Sequence, residues 1–368
     1  MVAPHAPNAA RREVLDGIDV ERFRYAWPAS AQTVCYQGGA LINLRKRPWE
    51  KLKLPALVVC EWATVQRRLL MGEYALVHSH WVLPQGFVGM LACTVSRLPH
   101  VVTLHGGDLF ALRSPFLEQL KRSALVRAAA VTVNSSFTES RTRELAPSLE
   151  RIERIPMGVD NASLRVAELD LARRLRNEHR RGNGPLLVFL GRLVEEKGPG
   201  DALRALGLLR RTHPDARLLL IGEGQDRPGL EQLAQDLGVG DAAVFLGWVD
   251  PGAVRAHLAS ADVFVGPSRT APDGWVEAQG LSFLEAMAAG IPVVATRSGG
   301  IVDAVHDEKT GLLVDEAAPD QIDRAVRRIV EDDSLRQRLS MGGLALLERG
   351  FSRAASARRF SEVYESLV

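Results

Sequence analysis

From residue 185 onward the chain repeats one pattern, and that pattern constrains the fold more than any other feature. Short apolar runs, "LLVFLGRL", "ARLLLIGEG", "AVFLGWV", "ADVFVGPS" and "IPVVATRSGG", are separated by helical stretches and joined by short loops. Strands that alternate with helices form parallel sheets with crossover connections, the βαβ arrangement. The first half carries a similar series: "ALVHSH", a helical stretch over residues 86–96, "HVVTLHGGDLF", a helix over 115–128, and "AAVTVNS". At 368 residues the chain exceeds what one hydrophobic core usually serves, and 46% apolar residues are enough to fill two. The expectation is an α/β protein of two Rossmann-like domains.

Within the second series one stretch departs from simple repetition: "PSRTAPDGWVEAQGLSFLEAMAAGIP", residues 267–292. Good helix formers over 282–289, closed by Gly290 with Pro292 just beyond, predict a helix. Glu277 then lies in the preceding loop and Glu285 in the opening turns. The first turns of a helix expose unpaired N–H groups at the positive end of the macrodipole, so an anion is favoured beside Gly280, Leu281 and Ser282. Gly280 admits it closely. A diphosphate between two carboxylates suggests a sugar nucleotide, one acid reading the hexose and the other the ribose hydroxyls. A helix with two solvated acids is the plainer alternative.

A Glu, seven residues and a second Glu, in a context such as "EGFGLVLLEAMAAG", is the hallmark of the retaining glycosyltransferases of family 4, which this stretch resembles. The resemblance runs from about residue 2 to the end and is densest in the second half. It implies the GT-B architecture, two Rossmann-like domains with parallel sheets facing a cleft. The corresponding division is an acceptor-side domain over 1–165, closed by "RIERIPMGVD", an Arg-rich linker over 166–184, a nucleotide-sugar domain over 185–349, and a final helix over 350–368 that crosses back to the first domain. Family members open with a strand, a Gly-rich loop and a helix before a "VTVVAPHAPG"-like strand. This chain enters at that later strand, so the opening βα unit is expected to be missing from it.

"GRLVEEKG" places Arg192 and Lys197 at the end of the second domain's first strand, where ligands gather in such sheets. Two cations beside a departing diphosphate stabilise the charge that grows as the glycosidic bond breaks, as Mg²⁺ does elsewhere. Surface cations at a strand-to-helix junction are the alternative. His105, in "TLHGGD" before two glycines, is placed by the resemblance against the donor hexose, with a packed core histidine as the alternative. Asp108 either orients that loop or meets an acceptor. His78 and His80 share one strand face at a metal-ligand spacing, but no third ligand stands nearby. The resemblance makes them crevice residues, His80 on the acceptor side. The loop at Gly222, Glu223 and Gly224 and the main chain at Trp248 and Val249 border the nucleotide base in the family. Ser298, Gly299 and Gly300 offer either further amides or a simple turn. By the same resemblance Glu285 holds the ribose and Glu277 the hexose, transfer proceeds with retention, and the catalytic set is Glu277, His105, Arg192 and Lys197. No metal or other cofactor is called for beyond the nucleoside-diphosphate-sugar substrate.

Net charge is +2, which argues against a general nucleic-acid binder. Residues 1–160 nevertheless carry 20 Lys and Arg against 14 Asp and Glu, and the remainder 26 against 30. Within a helical segment over 38–68, "LRKRPWEKLKLP" gathers Arg45, Lys46, Arg47, Lys51 and Lys53 around Trp49, including three of the chain's six lysines. Such a stretch suits anionic lipid headgroups and a lipid-linked acceptor; a solvated helix face over a packed Trp is the alternative. Cys35, Cys60 and Cys93 lack paired spacing, which fits reduced thiols in the cytoplasm. No signal core is present, and the longest apolar stretch, 87–95, is half of a bilayer span, so any membrane contact at the inner face is peripheral. The expected activity is sugar transfer from a nucleotide-sugar donor to an envelope glycan or glycolipid. A nucleotide-sugar epimerase of the same architecture and an inactive nucleotide-binding fragment are the alternatives.

Overall fold

A computed structural model describes residues 1–36, 40–110, 113–272 and 274–368, the side chains of Leu41, Ile42 and Arg45 excepted. Gly38, where the helical segment was expected to begin, and the Arg45 side chain lie outside the described residues. The chain divides into two compact units. Met1–Val133, Ser140–Glu153 and Glu362–Val368 form the first, and Asn134–Glu139 with Arg154–Ser361 form the second.

The first unit opens with β1 (Val2–Pro4), β2 (Arg12–Leu15) and β3 (Ile18–Phe23), a sheet in the order β1-β3-β2. β1 pairs parallel to β3, and β2 pairs antiparallel to it through the Asp16-Gly17 turn. Residues 12–15 thus form one strand of a hairpin. Its two turn residues both adopt positive φ, 49° and 81°, as a tight two-residue hairpin turn requires. Glu21 on β3 is 2% exposed and bonds Arg12 (3.2 Å), Arg67 (2.7 Å) and Arg68 (2.5 Å). Burial alone raises its pKa, but the three guanidinium bonds outweigh burial and bring it down to about 2.

A separate sheet of β4 (Val77–His80), β5 (His100–Leu104), β6 (Ala130–Val133) and β7 (Ile152–Arg154) runs in that order. Helices Phe87–Ser96 and Pro115–Val126 pack Met90, Ala124 and Leu125 against Val102, Leu104, Val131 and Val133. In the basic stretch Trp49 is 61% and Leu52 84% exposed, so the Trp is not a packed residue. Lys53 is no outward cation. It bonds the Ala31 carbonyl (2.7 Å) and the buried Glu50 carboxylate (2.8 Å). Among the described residues no helix is long and apolar enough to cross a membrane.

The second unit is one sheet of β8 (Leu186–Leu190), β9 (Arg217–Ile221), β10 (Ala243–Gly247), β11 (Val263–Gly266), β12 (Val293–Thr296) and β13 (Leu312–Val314). Its order is β10-β9-β8-β11-β12-β13, and every neighbouring pair is parallel. This is the doubly wound order, with the reversal of winding between β8 and β11. Successive residues of β8 enter opposite cores: Leu187 and Phe189 join one cluster, Leu186 and Val188 the other. Both faces of the sheet are buried, which is why its strands are apolar without interruption.

Residues 166–179, expected to be linker, form a helix, Val166–His179. Glu168 accepts from the Arg165 amide at 2.7 Å, capping its start, and Ala172 and Leu175 pack on Ala256 of helix Pro251–Ser260. Its buried stripe is narrow and partly alanine, so the polar majority hid the period. Besides Asn134–Glu139, the second unit runs continuously from Arg154, ahead of residue 166, and residues 156–159 bond the segment after helix Asp333–Leu346. Val159 exchanges backbone bonds with Phe351 and Arg353 (2.9 Å each), and Ser356 donates to Pro156 (2.6 Å). The last helix, Arg353–Glu365, starts in the second unit, and residues 362–368 fold with the first.

Candidate active site

In an open parallel sheet a ligand binds outside the carboxyl ends of the strands, where the winding reverses. Here that place lies beyond β8 and β11, and two close backbone approaches shape it. Gly222 after β9 has φ +128°, and a Cβ on it would lie 2.0 Å from the Gly191 carbonyl oxygen. Gly198 has φ +71° and would clash with the Pro267 carbonyl at 1.8 Å. Thus the turn Glu195–Lys197 after β8 is pressed against the end of β11, which carries Lys197 across the switch point.

Lys197 Nζ forms an ion pair with Glu277 and sits 5.3 Å from the centre of the Trp275 ring. Glu277 is held from behind. Gly300 donates its amide to the Glu277 carbonyl (2.9 Å), and a Cβ on Gly299 would lie 2.2 Å from that oxygen. The amide at Gly300 therefore serves a turn that fixes Glu277, and is not offered to a ligand. Next, Gln279 is bonded through both ends of its amide to Met157, and Gly280 takes φ +78° to start helix Leu281–Ala288. A Cβ on Gly280 would meet the Phe283 ring at 2.5 Å.

None of the described residues accepts from the amides of Leu281 and Ser282 or pairs with the Glu285 carboxylate. Burial raises the Glu285 pKa, a rise that nearby Arg353 offsets in part. Arg192 lies half exposed in the loop after β8, 3.3 Å from Glu196. Trp248 follows β10 with its indole 70% exposed, while Val249 packs against the core. The second unit thus places Arg192, Lys197, Gly222, Trp248, Val249, Glu277, Gly280, Leu281, Ser282 and Glu285 on loops and one helix start at the carboxyl ends of a single sheet.

The first unit gathers its histidines in the same way, at the ends of β4 and β5. His80 Nδ1 and His105 Nε2 are 2.9 Å apart and the rings stack at 5.2 Å. His78 lies 2.7 Å from Tyr364 Oη and 2.6 Å from Thr103 Oγ1, which in turn bonds Thr132 at 2.5 Å. Burial, with the neighbouring histidines, lowers the His78 pKa to about 3; burial lowers that of His105. Asp108 is turned inward, 4% exposed, and accepts from the amides of Val82 (3.0 Å) and His105 (3.2 Å). Of its two expected roles this geometry fits the first, orienting the loop; burial raises its pKa, and the backbone amides together with nearby Lys121 offset that rise in part.

Sequence reasoning missed Trp275, Gln279 and Arg269. Arg269 pairs with the buried Asp201 and donates its amide to the Glu196 carbonyl (2.9 Å), tying the loop after β11 to the Lys197 turn. A Trp two residues before Glu277 was the available signal for the first. Nothing in local sequence announces the other two.

Two α/β units, one of them a doubly wound parallel sheet with a lysine–carboxylate pair at its switch point, define the class of GT-B glycosyltransferases. The sequence pattern described as Glycosyltransferase Family 4 matches residues 2–163, and that described as Glycosyl transferases group 1 matches residues 172–343. A GDP-mannose-dependent alpha-(1-6)-phosphatidylinositol monomannoside mannosyltransferase of Mycolicibacterium smegmatis is 35% identical over 284 residues, 76% of this chain and 74% of its own length. A D-inositol 3-phosphate glycosyltransferase of Acidothermus cellulolyticus is 32% identical over 374 residues, spanning 93% of this chain and 80% of its own. In fold, the chain resembles sucrose-phosphate synthase from Thermosynechococcus elongatus with a TM-score of 0.76, at 23% identity, over 99% of this chain and 87% of the other. The chain belongs to glycosyltransferase family 4.

Proposed function

We propose that the protein transfers a hexose, with retention of anomeric configuration, from a nucleoside diphosphate sugar to a hydroxyl of an envelope glycan or lipid-linked acceptor at the cytoplasmic face of a membrane. The observation that carries the donor side is the Lys197–Glu277 pair across the β8/β11 switch, beside the helix start at Gly280 with its unclaimed amides. A diphosphate arriving there finds Lys197, Arg192 and the amides of Leu281 and Ser282. Lys197 exchanges Glu277 for phosphate, and Glu277 is released to the hexose. Glu285, whose carboxylate pairs with none of the described residues, is left for the ribose. The cations and amides stabilise the leaving diphosphate, and the reading calls for no metal or other cofactor. His105 completes the catalytic set, with His80 beside it toward the acceptor. The exposed Trp49 and Leu52 among Lys46, Arg47 and Lys51 support a peripheral hold on anionic lipid.

Because relatives are named for GDP-mannose and for inositol-containing acceptors, GDP-mannose with a phosphatidylinositol mannoside and with inositol 3-phosphate is the first pair of reactions to try. Retention predicts an α-linked product by NMR. Epimerised sugar without an acceptor, or nucleotide binding with no turnover on any donor, would displace this reading.

A further inference from the structure

The loop that carries Glu277 to the helix start buries Val276 and Ala278, and one neutral side chain within it makes a pair of hydrogen bonds to a segment remote along the chain. Gln279 is 3% exposed; its Oε1 accepts from the Met157 amide at 2.9 Å and its Nε2 donates to the Met157 carbonyl at 2.8 Å. Met157 is itself anchored, since the flanking Pro156 carbonyl accepts from Ser356 (2.6 Å) and Val159 is bridged to the backbone at Phe351 and Arg353. On the other side the Gly300 amide holds the Glu277 carbonyl. The short run from Glu277 to Gln279, anchored at both ends, sets where the Glu277 carboxylate and the amides of Leu281 and Ser282 point.

We propose that Gln279 is a positioning residue for the donor site: its amide clamps the loop to Met157 and thereby aims Glu277 and the first helix amides at the diphosphate sugar. The inference rests on the donor-site reading above. A primary amide is the group that suits this place, because the clamp needs an acceptor and a donor on one planar end. A carboxylate of the same shape accepts from the Met157 amide but sets a second oxygen against its carbonyl, leaving two acceptors face to face. Protonation restores the missing donor. The titratable and charged groups around the loop are Glu277 and its partner Lys197, with Glu285 and Arg353 on the helices beside it.

The test compares Gln279→Glu, Gln279→Leu and the unaltered full-length chain. Hydrogen exchange over residues 276–283 is read against the unaltered chain at about pH 8 and about pH 5, on either side of a buried carboxyl's titration. Affinity for UDP, GDP, ADP and TDP is measured by calorimetry under the same conditions. At the higher pH both variants exchange faster and bind the preferred nucleotide roughly tenfold more weakly, the loss of a net hydrogen bond or two. At the lower pH Gln279→Glu recovers toward the unaltered chain and Gln279→Leu does not.

Unchanged exchange in both variants at the higher pH would overturn the clamp. Faster exchange with unchanged affinity would overturn its role toward the donor and leave a purely structural bond. Loss of affinity in Gln279→Glu alone would overturn it as well, since added charge then explains the effect. If the unaltered chain binds none of the four nucleotides, the donor-site reading falls and the positioning role falls with it, while the exchange data still report on the clamp.

Discussion

At Lys197 and Glu277 two opposite charges meet on the loops that follow neighbouring strands, and each owes its place to a glycine. Gly198 lets the Lys197 turn lie on Pro267, and Gly299 lets the backbone of Glu277 be grasped. Removing either charge, by Lys197→Ala or Glu277→Ala, should lower kcat roughly 10²–10³-fold with the melting temperature little changed, measured as nucleotide release from whichever donor the unaltered protein turns over. Gly198→Ala should behave otherwise. A Cβ facing a carbonyl oxygen at 1.8 Å on a positive-φ backbone costs on the order of 1–3 kcal/mol or more, so both melting temperature and kcat fall. The two charges were legible because their neighbours match the family hallmark. The inward turn of Asp108 and of Lys53 was not, since a charged side chain's direction depends on amides and carboxylates brought to it from elsewhere in the chain.

Among the elements, β3 and β4 carry two of the groups that weaken the first unit in acid. Glu21 on β3 has its pKa brought down from 4.5 to about 2 in the fold. Its contribution is present above pH 4.5 and is lost as pH falls through 2. His78 on β4 is lowered from 6.5 to about 3, so its buried neutral form stabilises the fold fully above pH 6.5 and progressively less down to 3. Melting followed by circular dichroism should therefore decline as pH drops below 6.5, and His78→Asn should flatten the upper part of that decline. Tyr364→Phe removes the hydroxyl 2.7 Å from His78 and should cost about 1 kcal/mol, read as a lower melting temperature at neutral pH. The strands of the second unit could be read directly because burial on both faces demands an unbroken apolar run. β2 and the helix Val166–His179 could not, the first resting on a turn and the second on a narrow apolar stripe of Ala172 and Leu175.

For the whole molecule, a ligand that binds only the folded chain raises its stability by mass action. The preferred nucleotide at 100 times its Kd should add about 2.7 kcal/mol, seen as a thermal shift that Lys197→Ala reduces. Flotation with vesicles rich in anionic lipid tests the exposed basic stretch: neutralising Lys46, Arg47 and Lys51 together with Trp49→Ser should abolish binding without changing nucleotide affinity. Binding that survives these substitutions would assign membrane contact elsewhere.

By itself the sequence determined the class of architecture, the strands of the second unit, and the stretch where two carboxylates flank a helix start. These are local matters, in which apolar runs, helix formers and glycines act over a few residues. Only the tertiary structure decided that Lys197 pairs with Glu277 across 80 positions, that Gln279 is spent on Met157 across 122, and that Tyr364 reaches His78 across 286. The physical reason is the chain's topology: the β8/β11 reversal joins the Lys197 and Glu277 loops, the segment around Met157 packs beside the start of the last helix, and that helix's end reaches β4. A hydrogen bond formed in any of these places leaves no periodic trace in the sequence.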